Sequence, residues 1–180
     1  MAYPKVKGSI ILKILVVIAA IILLLSIFIP NRIWTQEIAE EDECHFRMLA
    51  LVEVQYQFRE VNNSAIADSL EQLINLVHTD STFKARCDSV LQILHETETA
   101  AAIKESRPFR LYQDIPVVVD SVFHCPSTGL PYNIVLGEDE GFYLIVCPQD
   151  EDEFVKQYRF FEKRITHHGS ADQGRERSWN

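Results

Sequence analysis

Twenty consecutive residues, Ile10 to Ile29, hold a single charge, Lys13, and this run constrains the chain more than any other feature. As an α-helix rising 1.5 Å per residue it is about 30 Å long, the thickness of a bilayer's hydrocarbon layer. Lys13 stands near one end, where its aliphatic stem can carry the ammonium to the headgroups. Lys5 and Lys7 precede the run, while Glu37, Glu40, Glu41, Asp42 and Glu43 follow it. The positive-inside rule then puts the N-terminus in the cytoplasm and the remainder outside. A cleaved secretory signal is the competing reading. It calls for a shorter apolar core, about 7–15 residues, and a small-x-small cleavage site, and the chain has neither. The expected organisation is a cytoplasmic stretch 1–9, a transmembrane helix 10–29, an extracytoplasmic domain 30–166 and a polar, disordered tail 167–180.

Charge separates along the same line. The whole chain carries 17 Lys and Arg against 26 Asp and Glu, a net charge of −9. Residues 1–36 contain four bases and no acid, so the rest is more acidic than the total suggests. Such a body lacks the basic face that phosphate neutralisation requires, which excludes nucleic acid as a partner. The 180 residues suit one compact domain beside the anchor.

The segment Lys7-Gly8-Ser9-Ile10-Ile11-Leu12-Lys13-Ile14-Leu15-Val16-Val17-Ile18-Ala19 resembles the N-terminus of type IV pilins and type II secretion pseudopilins. In that family a basic residue and glycine precede an aromatic, a short apolar run, a glutamate and Leu-Leu-Val-Val-Ile-Ala. Pro30 falls where the family carries a helix-kinking proline. Two positions depart: Ser9 replaces the aromatic, and Lys13 replaces the glutamate. The family's carboxylate neutralises the N-terminal ammonium of a neighbouring subunit. A lysine there sets two cations together in low dielectric, which disfavours ordinary mid-filament polymerisation. The resemblance implies a lollipop-shaped membrane protein with a peripheral, initiating or non-polymerising role in a secretion or pilus-type apparatus.

After Pro30 a short junction over 31–36 is expected, and the helical period then resumes. From Glu37 to Val61, Cys44, Met48, Leu51 and Phe58 share a face that Phe46, Leu49, Val52 and Tyr56 widen. Asn62-Asn63-Ser64 breaks the pattern. Asp68 is expected to cap a helix burying Leu70, Leu73, Ile74 and Val77. Asp80 or Ser81 is expected to cap another with Phe83, Cys87, Val90, Leu91 and Leu94 inward. Strands are expected at Phe109–Tyr112, Val117–Phe123, Tyr132–Leu136 and Phe142–Cys147, the last two forming a hairpin. Phe154, Tyr158, Phe161 and Ile165 suggest a final amphipathic helix, or a strand through the same aromatics. The predicted class is α+β, with helices packed on a small antiparallel sheet.

Cys44, Cys87, Cys125 and Cys147 then lie in a compartment where disulfides persist. Cys125 and Cys147, each followed by proline, flank the hairpin at positions that antiparallel pairing can bring within disulfide reach. Cys44 and Cys87 would join the long helix to the third. A zinc site is the alternative, with His45 and His124 each beside a cysteine. Separations of 43, 38 and 22 residues match no zinc signature, so disulfides are preferred and no metal site is expected. His167-His168 reads as a solvated pair. The phrase from His124 to Tyr132, with Cys147-Pro148 downstream, resembles the cysteine-bounded end loop of pilin-like proteins.

No nucleotide-binding loop, nucleophile elbow or His-Glu-x-x-His motif occurs, and no catalytic residue is assigned. The runs Glu138-Asp139-Glu140 and Asp150-Glu151-Asp152-Glu153 offer calcium as the sole cofactor candidate, as the pseudopilin resemblance implies, although EF-hand order is missing. The functional expectation is a non-catalytic, single-pass structural component of a bacterial inner-membrane assembly, its domain periplasmic or extracellular. An accessory subunit of an energy-transducing or transport complex is the alternative. The expected partners are the membrane and other protein subunits.

Overall fold

A single helix, α1 (Lys7–Val61), runs for 55 residues through both the apolar run and the following amphipathic stretch. The computed structural model describes residues 7–104, 117–137, 141–148, 168–172 and 178. Pro30 lies inside α1 and does not end it, which corrects the expected junction at 31–36. Proline removes only its own N–H from the ladder. On either side, the Ser26 and Thr35 hydroxyls donate to the carbonyls of Leu23 and Asn31, both at 2.8 Å. The N-terminal part of α1 is long and apolar enough to cross a membrane, and its apolar stretch is exposed on all sides.

The distal part of α1 is the centre of the head. Every residue from Met48 to Gln55 is buried, including Glu53 and Gln55, so the helix is enclosed rather than striped. Around it pack α2 (Leu70–Thr79), α3 (Ser81–Lys104) and a three-stranded sheet. Gln55 is held by the turn before α2: its amide donates to the Ala67 carbonyl at 2.9 Å and accepts from the Ala67 N–H at 3.4 Å. Asp80 caps α3 as expected, its carboxylate accepting from Thr82 and Phe83 at 2.8 and 3.0 Å. The N-cap of α2 is Ser69 rather than Asp68. Leu70, Leu73 and Val77 are buried on α2, and Phe83, Cys87, Leu91 and Leu94 on α3.

The sheet consists of β1 (Asn133–Leu136), β2 (Tyr143–Val146) and β3 (Ser170–Asp172), antiparallel in the order β1-β2-β3. The expected hairpin is present, with Ile134 opposite Ile145. Tyr143 and Ile145 of β2 point into the core against α1. Two expectations differ from the fold. Val117–Phe123 is not a strand; it contains a 3-10 turn at Val119–Ser121, started by the Asp88 carboxylate accepting from the Val119 N–H at 2.8 Å. Residues 168–172 are not a frayed tail. They enter the head and supply β3, whose Ala171 is buried. Phe109–Tyr112, the segment Phe154–Ile165 and both acidic runs lie outside the described residues.

Candidate metal centre

Four side chains from four separate segments converge where β2 ends and β3 begins: Cys44, Cys125, Cys147 and His168. Each is at most 4% exposed. Cys44 comes from α1, at the edge of its enclosed stretch. Cys125 sits at the base of a tight loop. The Gly129 N–H donates to the Cys125 carbonyl at 2.8 Å, and the Cys125 N–H donates to the Leu130 carbonyl at 2.9 Å. Gly129 has φ +68°, a left-handed conformation that glycine adopts without penalty. Cys147 directly follows β2, and its N–H donates to the Gly169 carbonyl at 3.3 Å. Gly169, with φ +76°, reverses the chain between His168 and β3. The His168 carbonyl accepts from His45 Nε2 at 2.9 Å, which fixes the backbone carrying the imidazole.

The three sulfurs form a near-regular triangle. Cys44–Cys125, Cys44–Cys147 and Cys125–Cys147 are separated by 4.0, 3.4 and 3.6 Å, and His168 Nδ1 lies 3.7 Å from Cys147 Sγ. All four potential ligand atoms lie within 4.8 Å of one another. Tyr132 closes one side, its hydroxyl donating to Cys44 Sγ at 3.2 Å. Burial, and then the nearby Cys44, pushes the Tyr132 phenol well up, so it stays a protonated donor. Burial likewise pushes the Cys44 thiol up, whereas hydrogen bonds from Cys147 and Cys44 pull Cys125 down.

Compared with known proteins, the chain matches no family model, no curated protein and no solved structure. Its site therefore rests on geometry alone.

That geometry revises the expected cysteine chemistry. All four cysteines are free thiols, with no pair at the roughly 2.05 Å of a sulfur–sulfur bond. Cys125 and Cys147 are neighbours, as the hairpin demands, but Cys44 joins them. Cys87 stays apart as a buried thiol on α3, outside the convergence and pushed up to about 12 by burial. His168, read from sequence as solvated, is 2% exposed and completes the set. Of the two histidines adjoining cysteines, His124 is exposed, and His45 hydrogen-bonds the His168 carbonyl with its ring edge-on to that of His168 at 6.4 Å. The usable signal was the pair of Cys-Pro turns followed by His168-Gly169; Cys44, 81 residues upstream of Cys125, had none in spacing.

The positions singled out by the pilin resemblance lie elsewhere. Gly8 and Ser9 are within the helical backbone of α1, Lys13 is exposed on its apolar part, and Pro30 is buried within it.

Proposed function

We propose that this chain is a non-catalytic, single-pass protein of the bacterial inner membrane that carries a pilin-like head outside the cytoplasm and serves as a pseudopilin-like structural component of a secretion or pilus-type assembly. One observation carries the reading: the same uninterrupted helix is both the exposed apolar rod and the enclosed spine of the head. A rod and head built this way move together. Contacts made by the rod within the bilayer are transmitted directly to the domain, which suits a subunit that assembles through both parts. From Ile10 to Ile29 every side chain is exposed, all round the helix, leaving an apolar surface for lipid or for neighbouring helices.

Lys13 favours a second reading. A cation where the resemblance calls for a carboxylate suits an accessory subunit of an energy-transducing or transport complex, packing beside partners without entering a filament.

Gentle detergent extraction of the full chain, with identification of co-purifying proteins and intact-mass analysis, separates the two. Recovery with secretion or pilus-type subunits and a chain starting at Ser9 is the expected outcome. Recovery with a bioenergetic or transport complex and a chain starting at Met1 supports the second reading. A chain that never reaches the membrane fraction overturns both.

A further inference from the structure

We propose that Cys44, Cys125, Cys147 and His168 bind one zinc ion in a closed tetrahedral site that ties α1, the 124–131 loop, β2 and β3 into one head. The inference does not depend on the compartment or partner of the protein.

The distances suit the ion. Zinc–sulfur bonds of about 2.3 Å arranged tetrahedrally put sulfurs about 3.8 Å apart, and zinc–nitrogen bonds of about 2.0–2.1 Å put sulfur and nitrogen about 3.6 Å apart. The observed sulfur separations are 3.4, 3.6 and 4.0 Å, His168 Nδ1 lies 3.7 Å from Cys147 Sγ, and all four ligand atoms lie within 4.8 Å of one another. A disulfide would draw two sulfurs together and leave the third behind. Thiols packed merely as small apolar groups would need no imidazole nitrogen beside them. Three thiolates and an imidazole are soft donors that select zinc over hard cations such as Ca²⁺ and Mg²⁺.

The surroundings match what a bound metal requires. The Tyr132 hydroxyl donates to Cys44 Sγ, and the His168 backbone is held by His45. Such outer contacts orient ligands and temper the charge on thiolate sulfur. On binding, each cysteine releases its thiol proton to solvent and His168 binds as neutral imidazole, so the site carries a net charge of −1. With four protein ligands no position is left for substrate, which makes the site structural rather than catalytic. Its ligands are separated by 81, 22 and 21 residues, so the ion closes long loops in a small domain with a limited core.

The test uses the full chain purified in detergent without chelator. Elemental analysis is expected to find one zinc per chain. Replacement by Co²⁺ should give the intense visible bands of tetrahedral cobalt and a near-ultraviolet thiolate-to-cobalt band. Cys87→Ser should keep the metal, whereas Cys147→Ser should lose it. Because a ligand variant can also fail to fold, His168→Cys supplies the complement: it restores a four-ligand set and should keep one zinc, while His168→Ala should bind far less. Chelation should lower the unfolding midpoint of the unaltered chain, and added Zn²⁺, but not Mg²⁺, should restore it. A metal-free protein whose mass is two hydrogens short, with Cys125 crosslinked to Cys147, overturns the proposal. So does stoichiometric iron or copper in place of zinc, or a Cys147→Ser variant that folds and retains its zinc.

Discussion

The two ends of α1 are built from the same kinds of residue and meet opposite fates. Leu24 in the proximal part is 53% exposed, and Leu51 in the distal part is fully buried. Both are leucines in one helix, so helix propensity does not separate them. What differs is the company. The distal part is wrapped by α2, α3 and the sheet, and its buried Gln55 is satisfied by the Ala67 backbone. Among the described residues nothing packs around the proximal stretch Ile10–Ile29, which carries almost no polar groups to satisfy. The one hydroxyl between Ile10 and Ile29, Ser26, turns back onto its own helix. Apolar sequence therefore has two meanings here: a surface that protein covers, and an uncovered surface long and apolar enough to cross a membrane.

The sharpest way to break this comparison is a matched pair of truncations. Leu51→Ala should destabilise the head by about 2–5 kcal/mol, the range for deleting a fully buried leucine side chain. Leu24→Ala should change head stability by less than about 0.5 kcal/mol. Denaturant unfolding of the detergent-solubilised chain, followed by tyrosine and tryptophan fluorescence, measures both. Equal losses at the two positions would mean that the proximal part is also packed in protein.

A polar pair gives a smaller contrast. Gln55→Ala leaves the Ala67 N–H and carbonyl without their buried partner, and should cost about 1–3 kcal/mol. Ser26→Ala removes a donor from a carbonyl already committed to the helix and should leave the unfolding midpoint where it was. A neutral Gln55→Ala would show that water reaches this turn.

The smallest effect lies at the rim of the head. Asp120 pairs with Lys84 and faces His78 at 3.5 Å, and the Lys84 ammonium holds its carboxyl below the usual carboxylate range. A carboxyl lowered in the folded state stabilises above its unfolded value, and that contribution fades as pH falls through the folded one. The pair is exposed and screened by salt, so its worth is slight. Asp120→Asn should lower the midpoint slightly at neutral pH and low salt. The difference should close below about pH 4 and in high salt. A difference that persists at acid pH would assign the effect to packing instead of charge.

Much of the fold was legible because its signals are local. The Ile10–Ile29 run, the α2 and α3 periodicities, the Asp80 cap and the β1–β2 hairpin each depend on residues a few positions apart. The misreadings share a physical cause. Pro30 and the 31–36 stretch looked like a break because proline's local cost is visible, while the continuing hydrogen bonds on either side are not. Residues 168–172 looked like a solvated tail because Ser170 and Asp172 are polar, yet a strand's backbone can pair with β2 whatever its side chains. Val117–Phe123 had strand composition, but Asp88, far away in sequence, turns it.

The cysteines draw the same boundary most clearly. Local patterning determines that Cys44 and Cys87 face inward on helices and that Cys125 and Cys147 flank a hairpin. It says nothing of which sulfurs meet, since that is set by how α1 crosses the sheet and by where β3 returns. Convergence over separations of 81, 22 and 21 residues leaves no periodic trace in the chain. Packing in three dimensions brought His168 to three of the sulfurs and left Cys87 outside, so that the four cysteines do not group as the two expected pairs.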